Sequence, residues 1–250
     1  MGADWWNELG SQDDVARRCS YLKLLAAELR ADSDVVMSSS MRTPETIDGV
    51  LAILRRAETL EAAFADWATN TPDDWHFSPA LWIDDVSEEE LTTTMAFMGR
   101  LDAYTDICVA GLWNLFRAAR LLTFSVQLRA TAWLCSPADY RLSAAYARVA
   151  KTCRSIIEDI IASVPQILKT DRTDLSGSFC GSVGPGEGAA GVFMLWPLFA
   201  AASSDFATDL QRKWLVGRLA YMGSVLGIGS ARILAKVSHT YVNPGISSED

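Results

Sequence analysis

Residues 101–135 read LDAYTDICVAGLWNLFRAARLLTFSVQLRATAWLC. Apolar side chains recur there every three or four positions, and only Gly111 interrupts the pattern, so the spacing predicts one long, bent helix. The stretches on either side carry the same period. Towards the N-terminus, Asp13–Ala31 repeats Val15, Cys19, Leu22, Leu25 and Leu29. A looser, Ser-rich segment (33–41) follows, and Thr43 then caps a helix whose first residue, Pro44, loses no hydrogen bond by lacking an N–H. That helix runs to about Thr69 and buries Ile47, Val50, Leu51, Leu54, Leu60 and Phe64. Residues 70–87 read as a loop, and Ser87 with Glu88, Glu89 and Glu90 reads as a helix start, since acids there complement the helix dipole.

Beyond Cys135, Ser136 and Pro137 restart the pattern, with a helix to about Val164, before Pro165. Residues 169–188, dense in Gly, Ser and Asp, read as a flexible loop. Helices resume over Ala189–Ala202 (kinked at Pro197), Asp205–Leu226 and Ser230–Val237. Strand signals are nearly absent. The class is all-α, and residues 1–250 read as a single multi-helix domain with a long central helix.

Half of the residues are hydrophobic and 21% are charged, as in a folded globular chain. The formal net charge of −9 argues against a self-sufficient nucleic-acid binder, which needs a basic surface to displace counterions from phosphate. Cys19, Cys108, Cys135, Cys153 and Cys180 are odd in number and widely spaced, which fits reduced thiols in an intracellular protein, cytoplasmic or nuclear. Trp5 and Trp6 lie among acidic and polar residues, unlike a signal peptide. The most apolar stretch, Ala189–Ala202, is too short to span a bilayer, so the expectation is a soluble chain without membrane partners.

Four segments in order carry a resemblance: Trp113–Arg120 (WNLFRAAR), Ile160–Pro165 (IIASVP), Phe193–Ala200 (FMLWPLFA) and Arg212–Leu219 (RKWLVGRL), the last leading to Leu226-Gly227-Ile228. Together they resemble the C-terminal regulatory region of fungal binuclear zinc-cluster transcription factors, over about residues 45–240. The resemblance implies a helical regulatory domain that responds to metabolites or partner proteins. The sequence departs from that family in lacking the six closely spaced cysteines that hold two zinc ions and the basic segment beside them. Direct DNA contact is therefore not expected.

Motifs with chemical meaning are few. Gly186-Glu187-Gly188-Ala189-Ala190-Gly191 matches the dinucleotide fingerprint by letter, but no strand-to-helix unit surrounds it, so no cofactor is expected. Asp84-Asp85-Val86-Ser87-Glu88 resembles the acidic magnesium motif of helical terpene cyclases without a second motif to complete it, and no metal is expected. His76, between Trp75 and Phe77, and His239 are too far apart in sequence to suggest a histidine metal site; His76 is a candidate acid or base.

On the long helix, Asp102, Asp106, Trp113, Arg117 and Arg120 fall on one stripe at 100° per residue. Such a stripe is either a solvated face or the lining of a cavity, in which Asp106 and Arg117 orient a ligand or polarise a carbonyl. Trp113, Arg117, Arg120 and Trp196 are the candidate ligand-binding residues. Trp196 next to Pro197 reads also as a packing device, and Trp214 with Arg218, an i,i+4 pair, as a stack on a helix surface. Two functions follow as expectations. One is a stand-alone regulatory domain that binds a small apolar metabolite or a regulatory protein. The other is a cofactor-independent enzyme of fungal secondary metabolism, a cyclase, isomerase or pericyclase on the same scaffold.

Overall fold

Thr43 and Pro44 set the start of a helix in fact as in sequence: the Thr43 hydroxyl accepts from the Thr46 N–H, and the Thr46 hydroxyl accepts from the Thr43 N–H. The computed structural model, which describes residues 11–38, 41–168 and 187–242, is predominantly helical, as expected from the sequence. Its helices are α1 (Ser11–Val36), α2 (Pro44–Thr69), α3 (Ile107–Cys135), α4 (Ala144–Leu168), α5 (Glu187–Ala202), α6 (Asp209–Ser224) and α7 (Gly229–Val242). One antiparallel strand pair, β1 (Ser78–Ile83) with β2 (Gly99–Ala103), joins them. The Gly/Ser/Asp-rich loop expected at 169–188 falls almost wholly outside the described residues.

Contacts group the chain into two compact units, Met1–Asp73 with Ala119–Thr152, and Asp74–Ala118 with Cys153–Asp250. Helices α3 and α4 contribute to both.

In the first unit α1 and α2 pack on each other through two stripes of 3–4 spacing. Cys19, Leu22, Ala26 and Leu29 line one; Val50, Ile53, Ala57, Leu60, Phe64 and Trp67 line the other. This is the seam of an α-helical hairpin, and each large side chain buried in it contributes on the order of 1.5–3 kcal/mol. The Trp67 indole N–H donates to the Val15 carbonyl at 2.9 Å, and Arg18–Asp66 and Arg56–Asp32 pairs flank the seam. Arg42 finishes the C-terminal end of α3. Its guanidinium donates to the carbonyls of Trp133, Leu134 and Ser136, each at 3.0 Å, and lies 4.7 Å over the Trp133 ring.

In the second unit the strands pair Ser78 with Ala103 and Leu81 with Leu101, with an irregularity between Pro79 and Leu81. The intervening segment is tied down by buried Leu91 and Phe97. Three expectations are corrected here. Residues 78–83 form a strand rather than a loop, residues 99–103 form its partner rather than a helical turn, and Ser87–Glu90 opens a turn rather than a helix. The capping chemistry at Ser87 is present, since its hydroxyl donates to the Glu90 carboxylate and accepts from the Glu90 N–H. However, Thr92, Thr93 and Thr94 follow, and β-branched residues propagate a helix poorly. Further on, Pro165 sits inside α4, which continues to Leu168.

Helices α5, α6 and α7 pack together, and two glycines permit close approach. A Cβ at Gly223 would lie 2.9 Å from the Arg232 nitrogen, and one at Gly217 would lie 2.8 Å from the Thr92 carbonyl oxygen. Among the described residues one helix, α3, is long and apolar enough to cross a membrane; 56% of its most apolar window is buried within the fold, and it carries the buried polar residues Asn114, Arg117 and Thr123.

The cysteines differ in ways that labelling reads out. Cys19 and Cys153 are buried, and burial pushes the Cys19 thiol up to about 11; Cys108 and Cys135 are exposed. Partial burial and then the Asp106 carboxylate also raise Cys108. Of the four cysteines among the described residues, native protein treated with iodoacetamide at neutral pH is expected to label Cys135 first, Cys108 more slowly, and Cys19 and Cys153 only after denaturation. Peptide mapping by mass spectrometry checks the order, and early labelling of Cys19 contradicts it.

Candidate functional site

The predicted stripe does not exist as one helical face, because α3 begins only at Ile107. Asp106 stands just before it, exposed, with its carboxylate accepting from the Cys108 N–H at 2.5 Å; it caps the helix and makes no ion pair with Arg117. Asp102 lies on β2, not on the helix. Arg120 belongs to the first unit, where it forms a two-pronged pair with Glu61. Trp196, on α5, is 57% exposed and meets Phe199 edge-on at 5.8 Å. His76 is exposed, its ring 5.6 Å from that of Trp113.

The fold nonetheless brings Asp102 and Arg117 into one buried polar cluster of the second unit. Arg100 donates to both Asp102 oxygens, at 2.7 and 3.0 Å, and to Asp159 of α4 at 2.5 Å. Arg117 approaches Asp159 at 3.8 Å and donates to the Asn114 side-chain amide oxygen at 3.3 Å. Asn114 is bonded in turn to Ser163. Around the Arg117 guanidinium stand Phe77, Tyr104 and Trp113, their centroids 5.6–5.9 Å away. Gln166 pairs with both backbone groups of Tyr104 at 2.8 Å, as a neighbouring strand would. The Trp113 indole donates to the Trp75 carbonyl at 2.9 Å. This cluster ties the strand pair to α3 and α4.

Burial dominates its electrostatics. Desolvation holds the Asp102 carboxyl above its ordinary value despite the Arg100 guanidinium beside it, and the Tyr104 phenol is raised for the same reason. A carboxyl raised on folding gives stability that is fully present below its unfolded value, about 4, and lost as pH rises through the folded value. The wild type is therefore expected to lose stability from about pH 4 upward relative to Asp102→Asn, which titrates nothing at that position. Urea midpoints of the two proteins between about pH 4 and 6 check it, and parallel curves would refute it.

A cavity of about 820 Å³ lies elsewhere in the second unit, and none of the cluster residues lines it. Its walls come from α6 and the turn at Thr92–Thr93: Arg212, Lys213, Val216, Arg218 and Tyr221 face that turn across Gly217. Gly217 is what makes the arrangement possible, since any side chain there collides with the Thr92 backbone. Trp214 and Arg218, read from sequence as an i,i+4 surface stack, are both buried, and Arg218 lines the groove. The Trp214 indole donates to the Thr94 carbonyl at 3.1 Å, and its ring meets Phe97 edge-on at 5.7 Å. Sequence reading missed the groove because the threonine turn lies more than a hundred positions away. A mid-helix glycine between large residues was the available signal.

The other motifs resolve simply. Asp84 and Asp85 are exposed at the end of β1. Gly186 lies outside the described residues, while 187–191 open α5, with Gly191 packed on Leu226 and Ile228. Among the described residues no group of three or more His, Cys, Asp or Glu is placed to hold a metal ion.

No family model matches the chain, and no solved structure matches it significantly. Transcription factor dbaG of Emericella nidulans is 26% identical over 206 residues, which is 79% of this chain. The chain spans about half, 46%, of that protein's length. Over most of its length, then, the chain is similar to a fungal transcription factor.

Proposed function

We propose that this chain is an intracellular regulatory domain of the fungal transcription-factor type, which binds a small, largely apolar metabolite and acts in gene regulation without itself contacting DNA. The observation that carries the reading is the likeness to a transcription factor across four-fifths of the chain. The groove on α6 supports it: about 820 Å³ is within the range that accommodates a metabolite-sized ligand. The net charge of −9 supports the absence of DNA contact.

The test compares a strain in which the gene is deleted with its parent. Transcripts of a coherent set of genes are expected to change in the deletion strain, and a small molecule is expected to be released when the purified protein is denatured. Unchanged transcripts with no released compound would remove the reading. Conversion of a compound in the deletion-strain extract by purified protein would replace it with the cofactor-independent enzyme.

A further inference from the structure

Two arginines of the second unit are almost wholly buried, and they are treated differently. Arg117 has Asp159 and Asn114. Arg218, 1% exposed, is in none of the ion pairs among the described residues. It donates to the Thr92 carbonyl and to the Met95 sulfur, a weak acceptor, while its Nε–H has no hydrogen-bond partner. Its remaining neighbours are the ring faces of Trp214 and Tyr221, 5.6 and 5.8 Å away. A buried cation with one donor idle and no anion is a costly arrangement, and burial holds this guanidinium down to about 10.

The surroundings share the imbalance. Arg212 and Lys213 line the same groove, with Asp209 the one acid in the lining. Arg212 is committed to the carbonyls of Ala202, Ser204 and Ala207, and Lys213 to Glu88. A local excess of cations thus stands in a chain whose net charge is −9. Val216, Ala220 and Tyr221 add apolar and aromatic surface to the wall, beside the hydroxyl-bearing Thr92, Thr93 and Ser224.

We propose that the groove is a binding site for a small organic carboxylate, its apolar body against Val216, Ala220 and Tyr221 and its anionic head on the Arg218 guanidinium. The planar fork of arginine matches a carboxylate, and the charge-assisted bond would supply the counter-ion that the fold omits. This rests on the metabolite-binding reading above and names the chemical class of the metabolite.

The probes are 2-naphthoate and its neutral counterpart 2-naphthalenemethanol, titrated into the full chain by calorimetry, with melting temperatures followed in parallel. The acid is expected to bind at least about tenfold more tightly than the alcohol. Arg218→Met is expected to abolish that preference while keeping the melting temperature of the free protein equal or higher, because it removes an unpaired buried charge. Equal affinities, no binding of either probe, or a preference that survives in Arg218→Met would overturn the proposal. If Arg218→Met does not fold, Ala220→Trp decides, since residue 220 is an exposed position of the lining. Lost naphthoate binding supports the site, and retained binding overturns it. Failure here leaves the transcript comparison standing, and failure of that comparison leaves naphthoate binding measurable, so the two are separable.

Discussion

Arg117→Ala is expected to lower the unfolding free energy by about 3–5 kcal/mol, the range for truncating a large buried side chain to alanine. The side chain is 3% exposed and stands among three aromatic rings. Its removal empties the space beneath the strand pair and deprives the Asn114 side-chain amide oxygen of one of its two donors. Asp159 keeps Arg100, so the loss comes mainly from the void and the stripped ring faces. Arg117→Lys restores charge but not the flat surface that the rings contact, and is expected to recover only part of the loss. Urea denaturation at neutral pH measures both. An alanine variant within about 1 kcal/mol of wild type would mean that the guanidinium is not structural. The prediction is opposite in sign to that for Arg218→Met, although both arginines are buried on helices of the same unit.

Trp214→Ala is expected to cost a similar amount, about 3–5 kcal/mol, as for other buried Trp or Phe truncations. Trp214 is fully buried, meets Phe97 edge-on, and donates its indole N–H to Thr94. It fastens the 92–97 segment to α6, so its loss should disorder that segment along with the core around it. Trp214→Phe separates the contributions: packing is largely kept, and the missing hydrogen bond should cost about 1 kcal/mol. Equal losses in the two variants would place the whole effect in the hydrogen bond and contradict the packing argument.

How much of this could be read in advance depended on whether the deciding contacts were local. The bounds of helix α2 were legible, because Thr43, Pro44 and a 3–4 repeat of apolar residues act within a few positions of one another, but Ile47, Leu51 and Leu54, expected in its buried face, are half-buried while Ile53, Ala57 and Trp67 join the core. The C-terminal end of α3 was equally plain. Its start was not, since Leu101 and Ala103 keep helical spacing while belonging to a strand whose partner lies some twenty residues earlier. Ser87–Glu90 misled for the opposite reason: the capping signature was real, and the turn it caps simply did not propagate.

The buried polar cluster was legible only in part. Arg117, Trp113 and Asp102 do meet, but through strand pairing and Asp159, a carboxylate that no reading of a single helix could supply. The burial of Arg218 was not legible, because whether an i,i+4 pair faces water or a distant threonine turn is decided by tertiary packing alone.

Arg42 closes the end of α3 from outside the helix, more than ninety positions earlier in the chain. A helix terminus normally frays, each of its last carbonyls trading partners with water independently. Here the Trp133 and Leu134 carbonyls, with that of Ser136 just beyond the helix, share one guanidinium, which couples the opening of two sequence-distant segments. In native-state hydrogen exchange the first turn of α2 and the amides after Cys135 would then form a single cooperative unit, with one opening free energy between them.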